Sequence, residues 1–217
     1  MYSGKLYITT KILPSNPFYA KMESLCRMGA MIVMGKGKHM FNSRQGDGHY
    51  RVDIGIKAPA DFAFPKAAGL SDHDAAKKFL LQEDWYGSYA PELQDIIKYS
   101  DGPFRPWIMY YMPTERLNWA SVPGVTLIGD AAHVTTPFVG DGANCAMRDS
   151  VILAGKIKEF GLTQEAVDEY EKEMFPYAID VISRSLQSGE MFFEDSPATF
   201  VDVMQSGKAL IGTTDLV

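Results

Sequence analysis

Residues 49–57, HYRVDIGIK, constrain the chain more than any other stretch. Tyr50, Val52, Ile54 and Ile56 fall at every second position and share one face, the pattern of a strand with one side on a core and one side elsewhere. The opening residues repeat the pattern, with Tyr2, Leu6, Ile8 and Ile12 interleaved with Ser3, Lys5, Thr9 and Lys11, and with Tyr7 breaking it. Ala30–Met34 and the residues around Met40 and Phe41 are further short apolar runs, punctuated by Gly35 and Gly37. Asn16-Pro17 and the Arg44–Gly48 stretch read as turns. The first hundred residues therefore predict adjacent strands of an antiparallel sheet. FRPWIMYYMP at 104–113 adds an aromatic-rich strand, and Pro106 predicts that it lies at an edge or carries a bulge.

The period then changes. Residues 18–27 and 91–98 fit short helices, and 71–83 fit another, with Ser71 and Asp74 as its N-terminal signal. Val125–Ile128 is a continuous apolar run of the kind found in buried parallel strands. A helix is predicted from Ala143 to Phe160. A second starts after Thr163 as N-cap and runs towards Gln187, with Pro176 expected to kink or divide it.

Bulk properties exclude several classes. The 217 residues are 46% hydrophobic and carry a net charge of −6, so a sizeable core is available and a basic footprint for nucleic acid is absent. The small cluster Lys36, Lys38 and His39 reads as a solvated hairpin. Cys26 and Cys145 lie far apart, which suggests two reduced, buried thiols in a cytoplasmic protein and neither a metal site nor a disulfide framework. No apolar stretch reaches the length of a membrane span.

Chemistry concentrates in residues 125–150, VTLIGDAAHVTTPFVGDGANCAMRDS. A strand-like run delivers Gly129 and Asp130 at its carboxyl end, where ligands sit in open α/β sheets. Gly129 permits close backbone approach, and the Asp130 carboxylate can accept hydrogen bonds from ligand hydroxyls. Gly140 and Gly142 precede a helix whose free N–H groups attract an anion or an electron-rich carbonyl. Taken singly, each feature has an ordinary reading: Asp130 as a cap, His133 as a core histidine, Asn144 and Asp149 as helix polar residues. The ordered set is much more specific.

GDAAH, Pro137, Gly140-x-Gly142, Asn144 and Asp149 together resemble the second flavin-binding motif of the FAD-dependent aromatic-ring monooxygenases, the para-hydroxybenzoate hydroxylase-like enzymes. RPWIMYYMP and YEKEMFPYA extend the similarity, which looks nearest to the tetracycline-inactivating monooxygenases and their fungal relatives. The resemblance implies that Asp130 binds the ribityl chain of FAD and that Gly129, Ala131 and Ala132 shape the backbone near the pyrophosphate. It further implies that Pro137 and Gly140 lie along the flavin ring, and that the N–H groups of Gly142, Ala143 and Asn144 face its pyrimidine edge. Asp141 departs from the family's usual residues; its carboxylate would disfavour a reduced, anionic flavin unless it turns away. The implied activity is NADPH- or NADH-driven hydroxylation, with O2, of an aromatic or polycyclic phenolic small molecule; the cofactor carries the chemistry and no protein nucleophile is required. Met34, Tyr50, Arg51, Arg105, Trp107 and Met109 are candidates for the substrate wall, the two arginines as partners for a phenolate or an acid.

The family's first strand-GxGxxG-helix unit and its central Asp-Gly motif have no counterpart in the sequence; Gly35-Lys36-Gly37, Asp47-Gly48 and Asp101-Gly102 sit in turns. The expectation is an N-terminally truncated member of α+β class. It would combine a mostly antiparallel substrate sheet (1–113), the C-terminal remnant of a Rossmann-like FAD-binding domain (114–160) and C-terminal helices (161–217). The missing segment could be a separate chain. The alternative is a non-catalytic remnant that binds only a ligand or a partner.

Overall fold

Five strands build the sheet that the alternation predicts: β1 (Tyr2–Ile12), β2 (Ala30–Gly35), β3 (Lys38–Arg44), β4 (Tyr50–Lys57) and β5 (Arg105–Tyr110). They lie in the order β2-β3-β4-β1-β5 in the computed structural model, which describes residues 1–59, 61–62 and 72–206. The β2–β3, β3–β4 and β4–β1 pairs are antiparallel. β5 closes one edge, where Pro106 removes a ladder donor at no cost to an interior strand. The β2–β3 hairpin turns on Lys36 and Gly37, both at positive φ, as two-residue hairpin loops require. The fold is α+β.

Of the described residues, those within 4–108 and 193–196 form one compact unit, and those within 1–3, 109–192 and 197–206 form another. In the first, register places Leu6, Ile8, Thr10 and Ile12 opposite Ile56, Ile54, Val52 and Tyr50 on one face of the sheet. All eight are buried there. The helices α1 (Tyr19–Cys26), α2 (His73–Leu80) and α3 (Pro91–Lys98) supply Met22, Cys26, Ala76, Leu80, Ile96 and Ile97 to the same core. Burying each large aliphatic side chain contributes about 1.5–3 kcal/mol before the entropy cost of ordering it. Ser71 lies outside the described residues; the α2 cap is Asp72, whose carboxylate accepts the N–H groups of Asp74 and Ala75 at 3.1 and 3.0 Å.

The second unit is helical: α4 (Asp130–His133), α5 (Gly142–Phe160), α6 (Gln164–Phe192) and α7 (Ala198–Gln205). Thr163 accepts the Ala166 N–H at 3.4 Å at the start of α6, and that helix runs on across Pro176 without division. Tyr170, Met174, Ala178 and Ile182, at helical spacing on α6, pack with Leu117 and Ala132 in its core. Cys26 and Cys145 are free, buried thiols, and burial pushes both up to about 11. Among the described residues no helix is long and apolar enough to cross a membrane.

One expectation fails. Val125–Ile128 is not a buried strand: apart from an isolated bridge between Val122 and Val125 it forms no ladder, and Val125, Leu127 and Ile128 are 57, 42 and 44% exposed. An apolar run is buried only if something covers it, and no described residue covers the outer side of this one.

Candidate functional site

The residues of the 129–144 motif separate into an exposed shelf and a buried support. Asp130, Ala131, Pro137, Gly140, Ala143 and Asn144 are exposed, whereas Gly129, Ala132, His133, Thr136, Val139, Cys145 and Asp149 are buried. Gly140 adopts φ 74° and a Cβ there would point into open space, so the shelf is free of side-chain bulk at that point. Asp141, the residue before α5, places no side chain on the helix N-terminus. Among the described residues, the N–H groups of Gly142, Ala143 and Asn144 and the carboxylate of Asp130 have no hydrogen-bond partner. A partnerless carboxylate and an uncapped 19-residue helix are therefore offered together on one surface. That donor and acceptor set fits the hydroxyl chain and carbonyl edge of a flavin nucleotide.

The support is polar. Asp149, fully buried on the inner side of α5, accepts the Gly129 N–H at 2.6 Å and His133 Nε2 at 2.7 Å. Gly129 sits at φ 57°, where a Cβ would press on the Ala146 methyl at 3.2 Å, so only glycine is comfortable in this turn. Thr136 and Ser185 hydroxyls meet at 2.8 Å, tying the loop after α4 to α6. Asp141 is not free: Arg184 holds it at 3.3 Å and also bonds Asp180 at 2.8 Å. The carboxylate that departs from the family pattern is thus compensated. Ahead of the motif, the buried Glu171 carboxylate collects Trp119 Nε1 at 3.0 Å, the Ser121 hydroxyl at 2.7 Å and the Thr126 hydroxyl at 2.8 Å.

A different polar surface lies in the sheet unit, on the face opposite the core. Thr9, Lys11, Arg51, Arg105 and Trp107 line a shallow cleft of about 230 Å3 together with Thr10, His49, Gly102 and Pro103. Arg51 Nε lies 2.9 Å from Asp53, a buried carboxylate that also accepts the Thr9 hydroxyl, so the guanidinium is oriented and not merely tethered. Further along this face the Tyr7 hydroxyl lies 2.8 Å from His39 Nδ1, and burial lowers His39 to about 4, leaving a neutral ring at pH 7. Gly55 makes room for this pair: a Cβ would collide with Tyr7 and Phe193 at 2.7 and 2.8 Å.

Of the residues expected at a substrate wall, Arg51, Arg105 and Trp107 come together in this cleft. Tyr50 does not; it alternates with Arg51, faces the core and donates its hydroxyl to the Arg27 carbonyl. Met34 shares the cleft's face of the sheet but lies across β3, paired with His39. Met109, 6% exposed, belongs to the other unit and does not line the cleft. Sequence reasoning took Asp149 only as a motif or ordinary helix residue and missed Asp53, Glu171 and Arg184 as organising groups. For Asp149 a signal existed: it sits four residues after Cys145 and three before Ile152, a polar residue at a core-facing helical position.

Residues 111–185 match the family described as an FAD binding domain. The monooxygenase penA of Penicillium thymicola is 24% identical over 219 residues, covering 82% of this chain and 51% of its own length. The solved structure of Klebsiella pneumoniae HpxO complexed with FAD and uric acid superposes with a TM-score of 0.70 at 20% identity, covering 94% of this chain and 49% of that one. That of the tetracycline destructase Tet(51) gives 0.59 at 17% identity, covering 96% and 51%. The chain thus spans about half the length of these relatives. The shelf of Asp130 and the α5 N-terminus falls inside the segment that matches the FAD binding domain, and over most of its length the chain is similar to FAD-dependent monooxygenases.

Proposed function

We propose that the chain supplies the flavin-ring half of an FAD site and the ligand-binding sheet of an NAD(P)H-driven hydroxylase of aromatic or polycyclic phenolic compounds. The observation that carries this reading is the exposed shelf, on which the Asp130 carboxylate and the N–H groups of Gly142, Ala143 and Asn144 have no partner among the described residues. Asp130 would accept the ribityl hydroxyls. Gly129, Ala131 and Ala132 would shape the backbone beside the pyrophosphate, and Pro137 and Gly140 would flank the ring. The α5 N-terminus would face the pyrimidine carbonyls, where its partial positive charge favours electron density. FAD, when bound, supplies electron transfer from NADPH or NADH and activation of O2. Arg184 neutralises Asp141, so the helix end keeps its attraction for an electron-rich group.

The sheet cleft suits the other reactant. Lys11, Arg51 and Arg105 give it positive charge and Trp107, 58% exposed, gives it a flat apolar surface. A planar aromatic bearing a phenolate or carboxylate matches both, by ion pairing and stacking. FAD titration of the protein, followed by flavin fluorescence, tests the shelf: Asp130→Ala should weaken binding roughly ten- to a hundredfold, the worth of a charged hydrogen-bonding partner. Unchanged affinity would remove Asp130 from the site. A second reading, a non-catalytic ligand- or partner-binding module, draws on the sequence having no GxGxxG unit for the ADP moiety. A flavin absorbance band in purified protein, with NAD(P)H oxidation above the free-flavin rate, would exclude it.

A further inference from the structure

Lys11 and Arg51 are register partners on β1 and β4, so two cations stand directly opposite one another on the side of the sheet away from the core. Like charges set opposite each other across a ladder cost stability. Arg105 extends the row: it lies on β5, which adjoins β1, and it lines the same cleft. Among the described residues that line this cleft none is acidic. The acids nearest in sequence are already engaged. Asp53 takes Arg51 Nε at 2.9 Å, Asp101 accepts the Leu13 N–H at 2.7 Å and the Asn16 amide at 2.9 Å, and Asp47 bonds His49 Nδ1 at 2.5 Å. Among the described residues Lys11 and Arg105 pair with no carboxylate, and the two terminal nitrogens of Arg51 have no hydrogen-bond partner. Trp107, two residues along β5 from Arg105 and so on the same side of that strand, adds an exposed ring. A local arrangement that opposes the stability of its own sheet marks a site of function.

We propose, on the reading of the cleft as the seat of the aromatic reactant, that its ligand is a planar aromatic compound carrying two acidic groups. One acid lies across the terminal nitrogens of Arg51, whose plane is set by the bond from Nε to Asp53. The other meets Lys11 and Arg105, and the indole of Trp107 stacks on the ring. The charge count decides between one acid and two. Asp53 offsets one of the three cations, and two remain to be matched. A ligand with a single acid would leave the row positively charged, whereas a diacid brings it to neutrality.

The test titrates the intact chain, without added flavin and at neutral pH, with isophthalate, terephthalate, the monomethyl ester of each, and benzoate. Tryptophan fluorescence reports binding. Each ester keeps the ring of its diacid and loses one charge. The better diacid should bind about tenfold more tightly than its own ester, the worth of a further charge-assisted hydrogen bond. Added salt should narrow that gap. In Lys11→Gln/Arg105→Gln the gap should close, whatever affinity both ligands lose alike. The same double variant should melt no lower than the wild type, because the substitutions remove repulsion. A diacid that binds no tighter than its ester would overturn the proposal and leave the cleft a site for aromatic acids. So would a gap that survives in the double variant, or a double variant that melts lower, which would make the two cations part of the support of the sheet. Failure of benzoate, esters and diacids alike to bind would remove the proposed role of the cleft as well.

Discussion

Two uncovered surfaces of this molecule are built from opposite materials. The cleft side of the sheet is polar and internally organised: Thr9, Asp53 and Arg51 bond one another, and Tyr7 meets the buried His39 further along. On the outer side of α5 and Val125–Ile128, Met147, Val151, Val125, Leu127 and Ile128 are exposed, and among the described residues the N–H groups of Thr126, Leu127 and Ile128 donate to none. The first arrangement holds its groups in place by their own hydrogen bonds, as a surface that meets small ligands must. The second is stable only as far as its inner side is held, and everything on its outer side gains by being covered. The same contrast recurs inside the motif, where the residues that would touch a flavin are exposed and contribute little to stability, and those beneath them contribute much.

The largest effect expected from that division is at its base. Asp149→Ala would leave the Gly129 N–H and His133 without their acceptor in a dry interior, a loss of about 3 kcal/mol. Urea unfolding followed by circular dichroism checks it; a loss below about 1 kcal/mol would mean that the shelf does not depend on this carboxylate.

The sheet's polar face should respond to acid. His39, lowered to about 4 by burial, takes up its proton more readily unfolded than folded, so the stability it secures is complete above the unfolded value near 6.5 and is lost as pH falls from there towards 4. Between pH 7 and 4.5 this amounts to about 2 kcal/mol. His39→Gln should remove that part of the pH dependence in urea midpoints; an unaltered profile would place the acid sensitivity elsewhere.

Arg51→Ala sharpens the comparison from the cleft side. The side chain is 47% exposed, so its pairing with Asp53 is worth at most about 1 kcal/mol after solvent screening. Binding of an aromatic carboxylate such as benzoate, followed by Trp107 fluorescence, should suffer more than stability does. Smallest of all is the stability change for Asp130→Ala, within about 0.5 kcal/mol, because the carboxylate bonds none of the described residues. A larger thermal shift would show that Asp130 belongs to the support.

Much of this was legible in the sequence. Alternation in HYRVDIGIK located β4 and its core face, Pro106 marked the edge strand, and the order of GDAAH, Gly140 and Gly142 singled out the segment that carries the proposed shelf. Periodicity reads which side of an element is apolar but not what lies against it, so Val125–Ile128 passed for a buried strand. Nor does it read partners distant in sequence: Arg184 reaches Asp141 across 43 residues and thereby removes the objection that an extra carboxylate raised. Tyr50 shows the opposite failing, since its alternation with Arg51 already excluded the two from one wall.

The Glu171 carboxylate imposes an order of events. Its three donors, Trp119, Ser121 and Thr126, precede it by 52, 50 and 45 residues. During synthesis the segment ahead of the motif emerges long before the α6 side chains Gln164, Tyr170 and Glu171 that fasten it, and at about 5–20 residues per second the interval lasts several seconds. For that time the apolar run at Val125–Ile128 is loose as well as uncovered, which makes the nascent chain most exposed to misassociation just before α6 is complete.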